Sequence, residues 1–135
     1  MIESDRFIKF VQGTFSFLVT ELKMKYEKET INGNIFYDIH YRDKDKVISI
    51  SLETIENYFQ VILFKLHGGQ MPDYDDKTKT IHLNKLNQSI LKTVDKTEFA
   101  DNNNYFGDIR TEDETERMIL KSAKDLRICL KYYDR

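Results

Sequence analysis

The sequence predicts an α+β fold: an amino-terminal helix, a four-stranded antiparallel meander in sequential order, and carboxy-terminal helices, with the helices packed on one face of the sheet. Three observations carry this reading. Apolar residues recur at three- and four-residue steps at both ends of the chain, the period drops to two between residues 24 and 66, and two successive hairpins put the same apolar set on one face. A chain of 135 residues with 40% apolar side chains fits a single domain spanning 1–135, burying roughly 65–70% of its unfolded surface.

Ser4 is placed to cap a helix running to about Leu22. Ile8, Val11, Phe15, Leu18 and Leu22 form one stripe, and Phe7, Phe10 and Phe17 widen it. Ile31-Asn32-Gly33-Asn34 reads as a tight hairpin, because Asn-Gly supplies the two positive φ values of a type I′ turn. A two-residue turn there sends Met24, Tyr26 and also Lys28 to the core face and sets Glu27 against Asp38. The inward Lys suits an edge strand, the like-charge pair is unfavourable, and a bulged register stays open.

The next two hairpins fix their register by arithmetic, since opposed residues in an antiparallel pair share a face. Setting Arg42 against Val47 aligns Tyr41, Ile39 and Tyr37 with Ile48, Ile50 and Leu52. Setting Glu53 against Tyr58 aligns Leu52, Ile50 and Ile48 with Phe59, Val61 and Leu63. Beyond Leu66 lies a turn-rich stretch, then a short strand end and a helix near 84–93. Residues 95–110 read as a polar loop in which Phe99, Tyr105 and Phe106 pin it to the body or anchor a partner. Thr111-Glu112-Asp113-Glu114 reads as a capping box opening the last helix, along which Ile119, Ala123, Leu126, Leu130 and Tyr133 keep helical spacing.

The same registers gather Phe36, Asp38, His40, Arg42, Val47, Tyr58, Gln60, Ile62 and Phe64 on the second face, with Ser49 and Ser51 between them. His40 lies against Ser49 and Asp38 against Ser51, which brings a Ser-His-Asp triad to mind. A mid-strand Ser has its neighbouring amides committed to the ladder and lacks an exposed turn and an oxyanion hole, so no catalytic residue is assigned. Val47, Ile62 and Phe64 cluster at one end. With Phe36 further along, these four apolar residues, ringed by Asp38, His40, Arg42, Tyr58 and Gln60, resemble an interaction patch, unless residues 67–92 fold back over Phe64 and cover it.

Other constellations fall short of a site. Asp73, Asp75 and Asp76 lack the Gly and Glu of a calcium-binding loop, with Thr78 and Asn84 in those places. His40, His67 and His82 have no zinc spacing. Gly68-Gly69 has no following Lys-Ser/Thr for a phosphate loop. No metal and no cofactor is expected. Lys and Arg number 21 against 23 Asp and Glu, so no basic excess favours nucleic acid. Cys129, the single cysteine, fits a reducing compartment. Met1–Asp5 is acidic where a secretory signal is basic, and the uncharged run Phe10–Thr20 is about half of the ~20 residues a membrane span needs. A cytoplasmic protein without membrane contact is expected.

In its order of elements and its size, the chain resembles the small helix–meander–helix proteins of bacteria, among them immunity proteins that neutralise toxins of competing cells. That resemblance implies a non-enzymatic protein-binding module whose partner is a toxin. Nuclease-directed immunity proteins are often strongly acidic, a property that a net charge of −2 does not share. Two other readings stand beside it: a small-ligand-binding protein or hydrolase using the polar face around His40, and self-association through the mixed face.

Overall fold

In a computed structural model, which describes residues 2–133, the central registers form as the alternation dictates. Strands β2 (Phe36–Arg42), β3 (Lys46–Glu53) and β4 (Tyr58–Lys65) pair with Arg42 against Val47 and Glu53 against Tyr58. Tyr37, Ile39, Tyr41, Ile48, Ile50, Leu52, Val61 and Leu63 are buried in one cluster. Helices α1 (Ser4–Thr14), α3 (Leu83–Ile90) and α5 (Glu114–Tyr133) bring Phe7, Val11, Leu83, Leu86, Ile119, Ala123, Leu126 and Cys129 into the same cluster. Helices and apolar sheet face thus share one core.

Among the described residues the sheet has five strands, not four. Segment 66–79 returns along β4, and β5 (Thr80–His82) pairs antiparallel with it, giving the order β1-β2-β3-β4-β5. Three residues suffice for this edge because Ile81, set against Leu63, packs on the core. A tight turn at His67–Gln70 starts the return. Gly68 and Gly69, with φ of 58° and 79°, supply the two positive values that a type I′ geometry needs.

The edge strand β1 (Lys25–Asn32) takes the bulged register. Asn32 pairs with Phe36, so the loop is Gly33–Ile35 rather than two residues, and the pairing shifts between Tyr26 and Lys28. Only Gly33 has positive φ in that loop. Thr54 of the next turn fixes its shape, donating its amide to the Ile35 carbonyl at 2.9 Å and its hydroxyl to the Asn34 carbonyl at 2.5 Å. The extra residue, Glu27, keeps Tyr26 on the core side against Tyr41 and moves Lys28 to the second face against His40. The expected inward Lys28 and the Glu27–Asp38 opposition do not occur.

The amino-terminal helix also departs from a continuous rod. It ends at Thr14, whose hydroxyl donates to the Phe10 carbonyl, and resumes as α2 (Phe17–Thr20). Side chains two apart on one helix diverge. The break lets Phe15 and Phe17 both reach the core, with ring centroids 6.1 Å apart. Leu22 lies beyond it and is exposed.

Residues 96–105 form a helix, α4 (Lys96–Tyr105), where a loop was expected. Asp95 caps it by accepting the Glu98 amide at 3.0 Å. It has almost no apolar face, and polar bonds dock it instead: buried Asn102 donates to the Lys124 carbonyl and accepts from Arg127. Arg127 also grips Glu21 with two nitrogens at 2.8 and 2.9 Å and lies 3.9 Å from the Tyr105 ring centroid. Bonding to Arg127 outweighs burial and holds the Glu21 carboxyl below its ordinary pKa. Phe106 is buried edge-on to Phe17 and does the pinning, whereas Tyr105 stays partly exposed.

The cap of α5 sits two residues later than the sequence suggests. Asp113 accepts the Glu116 amide at 2.9 Å, and Glu116 reaches back to the Glu112 amide at 3.0 Å. Buried Glu116 is held further by Arg6 of α1 at 2.6 Å, which ties the two ends of the chain. Among the described residues, no helix is long and apolar enough to cross a membrane.

Candidate functional site

The second face of the sheet carries the site residues expected from sequence, in parallel rows set by the registers. One row runs Lys25, Arg42, Val47, Phe64 and Thr80. The next runs Lys28, His40, Ser49, Ile62 and His82. A third runs Thr30, Asp38, Ser51 and Gln60, and the last holds Asn32, Phe36, Glu53 and Tyr58. Phe7 and Val11 of α1, Leu83 and Leu86 of α3, and Ile119, Ala123, Leu126, Cys129 and Leu130 of α5 belong to the cluster on the opposite face. Among the described residues, no helix joins the small cluster on this one.

Three of the expected residues are not available to a partner. Val47, Ile62 and Phe64 are buried in a small cluster with Leu66 packed against it. The covering segment is the return from β4 to β5: Tyr74 places its ring 6.5 Å from Phe64 and 6.3 Å from His82, and Arg42 donates to the Gly69 carbonyl. Of the two outcomes open for this end of the face, residues 67–92 folding back is the one that occurs. Burial of Phe64 beneath a polar, turn-rich segment leaves no periodic signal in the sequence.

The middle of the face is polar and ordered. Asp38 is its hub, accepting the Ser49 hydroxyl at 2.7 Å on one oxygen and lying 3.0 Å from His40 Nε2 on the other. Ser49 and Ser51 are only 5% and 8% exposed. The order of contacts decides the chemistry. In a catalytic triad the imidazole stands between the nucleophile and the acid, so that it can take the hydroxyl proton. Here the carboxylate stands between serine and imidazole. Ser49 donates to an acceptor that fixes its proton rather than removing it. The cluster ties β2 to β3 across the second face.

The far end of the face is exposed and apolar. The loop between β1 and β2 and the turn between β3 and β4 lie side by side, joined by the Thr54 bonds. They present Ile35 and Ile55, 51% and 75% exposed, beside Tyr58 at 58% and half-buried Phe36. Gln60 donates to the Tyr58 hydroxyl at 2.5 Å, which holds the ring at the border between apolar tip and polar centre. Sequence reasoning placed Phe36, Tyr58 and Gln60 here but missed Ile35 and Ile55: the alternation set Ile35 in line with Tyr37 and Ile39 of the core set, whereas the longer loop leaves it outside the strand, and Ile55 lies in a turn that belongs to neither face. Lys28 and Thr30 were not placed here because the sequence left the bulged register open, and His82 because the fifth strand was not counted.

Cys129 donates to the Asn87 side-chain oxygen at 3.3 Å, and burial pushes its thiol up to about 12. It is a core residue of α5, unsuited to nucleophilic work. Asp76 accepts the amide and hydroxyl of Thr78, which closes a local turn. No family model, curated protein or solved structure matches the chain.

Proposed function

We propose that this chain is a non-enzymatic protein-binding module whose partner docks on the open face of the sheet, at the end formed by Ile35, Phe36, Ile55 and Tyr58. The observation that carries the reading is the exposure of Ile35 and Ile55, on two turns bonded to each other, and of Tyr58, with half-buried Phe36, at the end of the face beyond the Asp38–His40–Ser49 cluster. Interfaces concentrate binding energy in a few aromatic and aliphatic anchors set in a polar rim. Holding the anchors on short, cross-bonded turns lowers the entropy lost on docking. An immunity protein that neutralises a toxin in the cytoplasm is the form of this reading that the outline of the chain supports.

Site-specific photocrosslinking tests it. A photoreactive residue in place of Tyr58 is expected to give a discrete protein adduct in the native cell, and the same residue in place of Lys121 on α5 is not. Ile55→Asp should abolish the adduct, while His40→Ala should leave it and the protein's biological effect in place. Equal labelling at both positions removes the docking site. Complete loss of effect on His40→Ala with the adduct retained favours chemistry at His40 over binding, since general acid–base help alone is worth ~10²–10⁴-fold.

A further inference from the structure

At the opposite end of the sheet from the apolar tip, residues from two stretches of the chain line one cleft of about 600 Å³: Lys23 and Lys25 to Glu27 on one side, Arg42 to Lys44 on the other. It contains four cations and two carboxylates, but both carboxylates are already matched. Glu27, the bulge residue, lies 3.6 Å from Arg42 Nη1. Asp43 receives Lys46 Nζ at 2.9 Å and the amides of Asp45 and Lys46 at 2.8 Å. Burial works against the Asp43 charge, yet these donors outweigh it and keep its pKa below the ordinary value.

The cations left over are Lys23, Lys25 and Lys44. Among the described residues, Lys23 Nζ meets only the neutral Thr20 carbonyl, and Lys23 itself sits at φ 60°. Among the described residues, Lys25 and Lys44 have no carboxylate within ion-pair distance. Lys25 is moreover set directly across the ladder from Arg42, a like-charge opposition that disfavours the pairing. Arg42 is meanwhile steadied by Glu27 and by the Gly69 carbonyl. A chain with a net charge of −2 has carboxylates enough to neutralise these groups elsewhere in the fold. Here they stay uncompensated around a concavity of ligand size.

We propose that this cleft is a binding site for a phosphate-bearing anion. A carboxylate offers two oxygens and one charge. A phosphate monoester or diphosphate offers three or more terminal oxygens and nearly two charges or more at neutral pH. That matches three ammonium groups arriving from the α2–β1 junction, from β1 and from the β2–β3 turn. Lysines recognise phosphate as point charges without the geometric demand of a guanidinium. Tyr26, whose ring packs edge-on to Tyr41 and whose hydroxyl donates to Glu29, completes the lining. The anion is a free small molecule or a lipid headgroup, and the two are separable.

The test uses inorganic pyrophosphate at constant ionic strength, followed by amide NMR on the full chain. Saturable shifts are expected at residues 23–27 and 42–44, and Lys25→Ala with Lys44→Ala should weaken binding about tenfold or more. Lys77→Ala with Lys92→Ala removes the same charge from exposed positions elsewhere and should leave it unchanged. A second arm offers phosphatidylcholine vesicles containing a phosphoinositide. Sedimentation with vesicles that the Lys25/Lys44 pair abolishes, without pyrophosphate binding, assigns the phosphate to a headgroup. Non-saturating shifts with no vesicle binding overturn the proposal, and so does equal weakening by both double variants. Unchanged thermal melts of both double variants keep a folding defect from imitating the expected loss.

Discussion

Replacing Ile50 with Ala opens a hole at the centre of the sheet, between Ile39 on β2 and Val61 on β4, where the side chain has no exposure. Three carbons leave the core, which at ~0.8 kcal/mol per buried methylene removes about 2.4 kcal/mol. If a cavity of about 60 Å³ persists, at ~24 cal/mol per Å³ it adds about 1.4 kcal/mol. The expected total is near 4 kcal/mol, or a urea midpoint about 2 M lower for a slope of ~2 kcal/mol/M. Ser51→Ala, one residue on, removes a single hydroxyl from the other face and should cost ~1 kcal/mol or less. Urea melts followed by fluorescence compare the two. Equal midpoint shifts would refute the register, because a one-residue slip exchanges the faces of β3.

Two further outcomes probe the covered cluster and the helix dock. Phe64→Asp should lower stability by ~3 kcal/mol or more, because it sets a carboxylate among Val47, Ile62 and Leu66; a variant that melts like the parent would mean that residues 67–79 do not cover the site. Glu21→Gln tests the Arg127 grip: a carboxyl with a lowered folded pKa contributes stability above its unfolded pKa and loses it as pH falls through the folded one. The melting difference between parent and variant should therefore be greatest at neutral pH and vanish in acid, and a difference that grows in acid contradicts the pairing.

The parts of the fold written plainly in the sequence are those where two independent constraints coincide. For β2, β3 and β4, turn length and face alternation demand the same register, and one slip would have exposed Tyr37, Ile39, Ile48 and Ile50 at once. At β1 the constraints conflict. The Asn32-Gly33 pair argues for a two-residue turn, but Thr54, 20 residues away, stabilises a three-residue loop, and the sequence does not display that bond. The break at Phe15–Ser16 was hidden for a related reason: the apolar stripe continues through it. Helix α4 was illegible because Asn102, Arg127 and Asp95 hold it, and polar docking has no hydrophobic period. On the candidate face the same division holds. Strand residues such as Asp38, His40 and Tyr58 were placed correctly, whereas Ile35 and Ile55 depend on how two turns meet.

The Arg6–Glu116 contact joins residues 110 apart, while the three hairpins that join β1 to β4 each close over only three or four residues. Loop-closure entropy rises as (3/2)RT ln n, so bringing the ends together costs about 2 kcal/mol more than closing a ten-residue loop. The order of assembly follows from that difference. The hairpins can form within microseconds, but the apolar side of the nascent sheet stays wet until the last helix arrives to seal it. During that interval Tyr37, Ile39, Tyr41, Ile48 and Ile50 form a contiguous adhesive surface. Refolding yield should fall as concentration rises, with pulsed hydrogen exchange protecting β2–β4 before α5; simultaneous protection would mean that the sheet and the helix condense in one step.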